Sequence, residues 1–180
     1  FLDMLNVTTG ITERYDAPVY RTPMMALLTF AAAVPVLGAA KLALNEFCQQ
    51  TIPKFKTGDA SGRNPIAKYQ PTAEAALDIE AAELLMRNTV AEIMATREEA
   101  TKEMRGKWMA RVAHAVFMCR DAAQSISMCA GASGHFLDNP IQKAVRDANT
   151  ASCHVVFDKN SRYADYGAVL FEQPVVSAIL

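Results

Sequence analysis

The side chains best suited by type and spacing to do chemistry are Gln142, Arg146, Thr150 with Asn149, and His154, which recur at intervals of four. On an α-helix that interval returns to one face, so these positions predict a polar stripe on a helix otherwise built of Val, Ala and Ile. Such a stripe has two readings. In one, Arg146 makes an ion pair and His154 satisfies a hydrogen bond inside the core. In the other, His154 borders a pocket and Arg146 holds the helix or an anionic group. An imidazole titrating near pH ~6.5 can take a proton from a phenol or hold a substrate hydroxyl at neutral pH. The other two histidines offer less: His114 shares a helix face with Arg111, and His135 follows a glycine-rich turn at a position suited to the surface. That turn, Gly131-Ala132-Ser133-Gly134, precedes a helix N-terminus, where unpaired backbone N–H groups can bind phosphate, although glycines between helices also serve as plain C-caps.

Other chemistries find no support. The sequence has no HExxH, GxSxG, Walker loop or GxGxxG, which leaves metalloprotease, serine hydrolase, nucleotide hydrolase and dinucleotide-fold readings without a motif. Cys48, Cys119, Cys129 and Cys153 lie far apart with no zinc spacing, and read as reduced core thiols of a cytoplasmic protein; no metal is expected. Eighteen Lys and Arg against nineteen Asp and Glu give a net charge of -1, so there is no basic field to hold a nucleic acid. With 180 residues, 51% of them hydrophobic and 21% charged, the chain is long enough to bury one core and too apolar for disorder.

Long helices must position these groups. Residues 1–22 show no sustained period and read as a linker; Phe1-Leu2-Asp3-Met4 lacks a basic n-region and looks like a cut edge. A first helix is expected from Met24 to Gln50, with Pro23 at its start and Pro35 inside. The uncharged run Thr22–Ala40 nearly reaches bilayer length, but its alanines, Pro35, Gly38 and the continuing pattern Lys41–Phe47 fit a soluble core better than a membrane span. Residues 53–70 read as a long surface loop. A second helix, with Thr72 as N-cap, carries the apolar positions Leu77, Ala81, Leu84, Ala91 and Ala95 and ends near Arg97–Thr101, with Glu98, Glu99, Lys102 and Glu103 as a solvated end. A third carries Trp108, Val112, Ala115, Cys119, Ala122, Ile126 and Ala130 in one stripe, with Trp108 as an anchor, and stops at Gly131. A fourth opens with Asn139 as cap and Pro140 in its first turn and runs through Ile141, Val145, Ala148, Ser152, Val155 and Val156, with an extension over Tyr163–Leu170. The expectation is all-α: an antiparallel four-helix bundle over residues 23–174, with a tail at 175–180 and enough apolar helix face left over for association into oligomers.

Residues alone do not name the reaction, but their order does resemble a family. Pro35-Val36-Leu37-Gly38-Ala39-Ala40, Cys119-Arg120-Asp121-Ala122, Ala130–Gly134, Asn139-Pro140-Ile141-Gln142 and Arg146–His154 resemble the C-terminal helical domain of acyl-CoA dehydrogenase-like flavoproteins, from about residue 1 to Pro174. Within that superfamily the chain most resembles the oxygenase component of two-component, flavin-dependent monooxygenases that hydroxylate phenols and related aromatic or polycyclic substrates. Acyl-CoA dehydrogenases carry a catalytic Glu nine residues beyond the Arg, where this chain has Val155, whereas the monooxygenase branch carries a His eight residues beyond it, where this chain has His154.

The resemblance implies a mechanism and partners. A separate NAD(P)H-dependent reductase supplies reduced FMN or FAD, oxygen adds to give a flavin hydroperoxide, and the protein excludes water from it. His154 is implied as the catalytic group, orienting or deprotonating a substrate hydroxyl, and Arg21, Gly131, Ser133 and Gly134 as cofactor-binding positions near the flavin phosphate, the turn acting on a neighbouring subunit's flavin. A cytoplasmic homotetramer is implied, with this chain the C-terminal part of a larger enzyme. The alternatives are a dehydrogenase or oxidase with its base elsewhere, and a bundle that serves only to assemble subunits.

Overall fold

The computed structural model describes residues 17–57, 66–175 and 177. The expected linker falls largely on residues 1–16 and the tail on 176 and 178–180, outside the described residues, as is 58–65 of the expected loop. The described residues form five α-helices: α1 (Met24–Lys56), α2 (Ile66–Thr96), α3 (Lys102–Ala130), α4 (Pro140–Ser152) and α5 (Lys159–Leu170). Short 3-10 turns lie at Pro18–Arg21, Arg97–Glu99, Ala132–His135 and Val155–Phe157, and no strand occurs among the described residues. The all-α expectation holds; the helix count is five, not four.

Two compact units divide the chain, one of residues 1–33, 84–115 and 153–180, the other of 34–83 and 116–152. Each long helix thus gives one part to each unit. In α1 the buried residues Ala26, Thr29, Ala33, Val36, Ala40, Ala43 and Phe47 alternate spacings of three and four, a narrow stripe of mostly small residues that lets a neighbouring backbone approach closely. The helix runs six residues beyond the expected Gln50 and keeps Pro35 and Pro53 inside it. By length and composition it could cross a membrane; 28% of its most apolar window is buried within the chain, and Leu28, Val34 and Leu42 face outward.

α2 corrects the expected face. Ala75, Ile79, Ala82, Met86, Thr89 and Ile93 are buried, whereas Leu77 (64% exposed) and Leu84 (61%) lie outside with Ala81, Ala91 and Ala95. The helix is apolar on two sides, and periodicity finds both stripes without saying which one is covered. Thr72 is no N-cap either: α2 begins at Ile66, carries Pro71 inside, and the Thr72 hydroxyl donates to the Lys68 carbonyl at 2.6 Å. α3 meets its expectation except at Ala130, which is half-buried at the helix end. Trp108, Val112, Ala115, Cys119, Ala122 and Ile126 are all buried, Thr101 caps the helix by accepting from Met104 N–H at 3.2 Å, and Gly131 ends it with φ at 69°. In the first unit Trp108 packs in a cluster with Ala26 and Ile93, joined by Phe30, Ala100 and Met104.

The cysteines separate by burial. All four are thiols outside any disulfide; Cys119 is buried, Cys48 and Cys129 are half-buried, and Cys153, expected in the core, is exposed because α4 ends before it. Burial pushes the Cys119 thiol up to about 12 from its ordinary 9.0. Such a group contributes stability that is whole below the unfolded value and is lost as pH rises from 9.0 towards 12. Iodoacetamide at pH 8 is therefore expected to label Cys153 in the native chain while Cys119 stays unmodified, read by peptide mass; equal labelling would mean that this core is open.

Candidate functional site

The expected fourth helix stops at Ser152. The Ser152 hydroxyl turns back to the Asn149 carbonyl at 2.8 Å, His154 is extended (φ −61°, ψ 136°), and a 3-10 turn follows. A new helix then starts at Lys159, capped by Asp158, whose carboxylate accepts from Ser161 N–H at 2.9 Å. That cap competes with continuation of the fourth helix and wins, since an Asp that can satisfy free N–H groups favours a helix start. Val155, expected on the buried stripe, is consequently 76% exposed, while Val156 and Phe157 are buried.

His154 therefore does not share a helical face with Gln142, Arg146 and Thr150. It stands exposed in the connection between α4 and α5, and belongs to the first unit, whereas the rest of the stripe belongs to the second. Its Nδ1 accepts from the Val156 N–H at 3.2 Å, and the Phe157 ring lies edge-on at 6.2 Å. A neutral imidazole whose Nδ1 accepts carries its proton on Nε2, so the outward nitrogen is a hydrogen-bond donor. Exposure removes the reading of His154 as a core histidine. Arg21, also in the first unit, is paired with Glu98 at 3.2 Å.

In the second unit, Gln142, Val145, Arg146, Asn149 and Thr150 of α4 line a cleft of about 330 Å³ together with Gln124 and Ser127 of α3, and His135. No carboxylate lines it. Ser127 is 1% exposed and its hydroxyl makes no hydrogen bond, an omission that costs about 1–3 kcal/mol unless something entering the cleft completes it. Arg146 approaches Asp147 only to 3.8 Å, and Lys143 also binds that carboxylate and holds it below its ordinary value. The cleft thus offers amide, hydroxyl and cationic groups suited to a polar, anionic ligand.

Gly131, Ser133 and Gly134 form the floor of the turn that carries His135 into this cleft. Gly131 needs its left-handed φ to end α3, and a Cβ on Gly134 would meet the Ala130 Cβ at 2.6 Å, so both glycines have reasons in the fold. The Ser133 hydroxyl donates to the Ala130 carbonyl at 3.2 Å. Asn139 ties the turn down: its Oδ1 accepts from Ile141 N–H at 3.0 Å, and its Nδ2 donates to the Ser133 carbonyl at 2.9 Å and to Gln50 at 3.2 Å. Replacing Asn139 with Ala should cost about 1–2 kcal/mol through the lost cap and loosen the turn, seen as a lower midpoint in urea; an unchanged midpoint would remove Asn139 as the clamp.

Sequence reasoning missed Gln124 and Ser127; His135 is exposed, as expected, and lines the cleft from the surface. The available signal was the i, i+3 polar pair at 124 and 127 in the uncharged last turns of α3, Ala122–Ala130.

The chain belongs to the family of acyl-CoA dehydrogenase C-terminal domains, whose profile matches residues 30–159. Among curated relatives it is 25% identical over 186 residues to the flavin-dependent monooxygenase, oxygenase subunit HsaA, of Rhodococcus jostii, and 26% identical over 180 residues to an indole-3-acetate monooxygenase of Pseudomonas putida. Those matches take in 100% and 92% of this chain but 48% and 44% of the relatives, so the chain spans about half their length. Among solved structures, a 3-HSA hydroxylase from Rhodococcus sp. RHA1 matches with a TM-score of 0.86 at 24% identity, covering 93% of this chain and 44% of that one. XiaF from a Streptomyces species, in complex with FADH2 and glycerol, matches with a TM-score of 0.85 at 21% identity, over 100% of this chain and 47% of that one. Both likenesses establish the fold.

Proposed function

We propose that the chain is the C-terminal domain of a reduced-flavin-dependent monooxygenase, the oxygenase component of a two-component system that hydroxylates an aromatic or polycyclic substrate. The observation that carries the reading is His154, which stands eight residues after Arg146, exposed in the break between α4 and α5 with Nδ1 engaged and Nε2 outward; the position after it, where the dehydrogenase pattern has Glu, is Val155. The flavin, when bound, supplies the activation of dioxygen. His154 would orient the substrate hydroxyl by donating from Nε2.

The cofactor fits the second unit's donor set: Ser127, Gln124, His135 and Arg146 suit a phosphate-bearing polar end, with Gly131, Ser133 and Gly134 in the adjoining turn. Arg21, from its place before α1 in the first unit, is assigned a flavin phosphate in this reading, and the turn is assigned to a neighbouring subunit's flavin. The cofactor is reduced FMN or FAD, the partner an NAD(P)H-dependent flavin reductase, and the assembly a cytoplasmic homotetramer. The outward apolar residues of α1 and α2 support that assembly. The domain occupies residues 23–174, after a linker at 1–22 and before a tail at 175–180, as an antiparallel four-helix bundle; the halves that α1, α2 and α3 give to each unit support an antiparallel run of those three.

The test is the intact enzyme with dioxygen, reduced FMN or reduced FAD, and a panel of phenols and polycyclic aromatics, with products identified by mass. A product that gains one oxygen atom supports the reading. Bound flavin that is instead reduced anaerobically by an acyl thioester, with no hydroxylated product, overturns it in favour of a dehydrogenase.

A further inference from the structure

The first unit contains a second concavity that shares no residue with the α3–α4 cleft. It is an open groove of about 350 Å³ whose walls are almost wholly apolar, with Leu85, Ala110, Tyr166, Gly167 and Leu170 among them. At one side His114 Nδ1 and the Tyr163 hydroxyl are hydrogen-bonded at 2.8 Å, and Arg111 lines the groove as well.

Gly167 is the informative residue. It sits within α5, where glycine costs helix stability of about 0.5–1 kcal/mol relative to alanine. Gly131 is the one described glycine with positive φ, so Gly167 makes no use of left-handed freedom. A Cβ built on Gly167 meets nothing within 4 Å, so no neighbour in the chain requires its absence. Gly38 of α1 is open in the same way; what sets Gly167 apart is that its open space is part of the groove wall.

Charge gives that occupant its chemistry. Arg111 Nη1 and Lys107 Nζ both donate to Glu92, at 2.6 and 3.0 Å, so three ionised groups share one net positive charge at the groove. No carboxylate lines the groove itself. An apolar slot beside a surplus cation and a His–Tyr pair matches a small ligand with a flat hydrocarbon body and one anionic head. We propose that this groove binds an aryl carboxylate, with the rings against Leu85, Tyr166 and Gly167 and the carboxylate towards Arg111 and the His114–Tyr163 pair.

The probes are 2-naphthoate and its uncharged counterpart 2-naphthamide, titrated into the full-length enzyme while amide and imidazole resonances of this domain are followed by NMR. Saturable binding of 2-naphthoate is expected, with shifts at the Gly167 amide and the His114 ring, and about tenfold weaker binding of the amide. Gly167→Phe, which fills the open space, should abolish the shifts, whereas Gly167→Ala should keep the fold and raise the melting temperature. Equal affinity for the two probes would overturn the anionic assignment, and so would absence of saturation on the unaltered chain, whatever the variants do. Self-association that Gly167→Phe abolishes would place a second copy in the groove and overturn the ligand assignment.

Discussion

Replacing His154 with Ala in the full-length enzyme should lower the hydroxylation rate by about 10²- to 10⁴-fold, the usual range for loss of a positioned proton donor or acceptor. Reduced flavin should still be consumed, with hydrogen peroxide appearing in place of hydroxylated product. The fold has little stake in this side chain, because the ring is exposed and makes one backbone hydrogen bond, to Val156 N–H, and one edge contact with Phe157. Losing that cap should cost about 1 kcal/mol, so circular dichroism and the oligomeric state should be nearly unchanged. The geometry also separates two roles for the imidazole. With Nδ1 occupied, the outward Nε2 bears the proton, and His154→Gln, which can donate from a similar distance, should retain more hydroxylation than His154→Asn. A base would be lost equally in both variants. Unchanged product yield in His154→Ala would remove the residue from the reaction and leave the domain an assembly role.

The helices were legible in the sequence where one local signal acted alone. Asn139 followed by Pro140 opens α4 as expected, and Gly131 closes α3. The sequence was less informative where two signals competed. Spacing by four carried the polar stripe of α4 on to His154, but the Asp158 cap starts a new helix, and the backbone between them leaves the α-region. The result moves His154 off the stripe and out to an exposed bend, while Gln142, Arg146 and Thr150 stay together and meet Ser127 across the cleft. On α2 the difficulty was of another kind. Leu77 and Leu84 have the same period as Ile79 and Met86, and only tertiary packing decides which stripe faces inward. The unpaired Ser127 hydroxyl and the open space at Gly167 are properties of packing, so no linear pattern contains them.

The second large effect concerns the helix that follows His154. Arg162 and Asp165 of α5 are both buried, at 2% and 6% exposure, and their charged groups lie 3.3 Å apart without completing a hydrogen bond at Asp165 Oδ2. Arg162 also donates to the Ser177 hydroxyl at 3.1 Å and lies 3.6 Å from the Met109 sulfur, while its Nε has no partner. Two ions taken out of water with incomplete hydrogen bonding recover little of their hydration energy from each other. Removing one of them is far worse, because the other stays buried without a counter-charge. Arg162→Met should therefore destabilise the chain by about 3–5 kcal/mol in urea unfolding, whereas the pair of changes Arg162→Met with Asp165→Leu should restore most of that loss. A single variant within about 1 kcal/mol of the parent would mean that solvent reaches Asp165. The difference bears on function because the Asp158 cap and the buried Val156 and Phe157 link His154 directly to α5. The double variant should keep His154 held and hydroxylating, while Arg162→Met should lose activity in step with the loss of α5, measured as product yield against urea concentration.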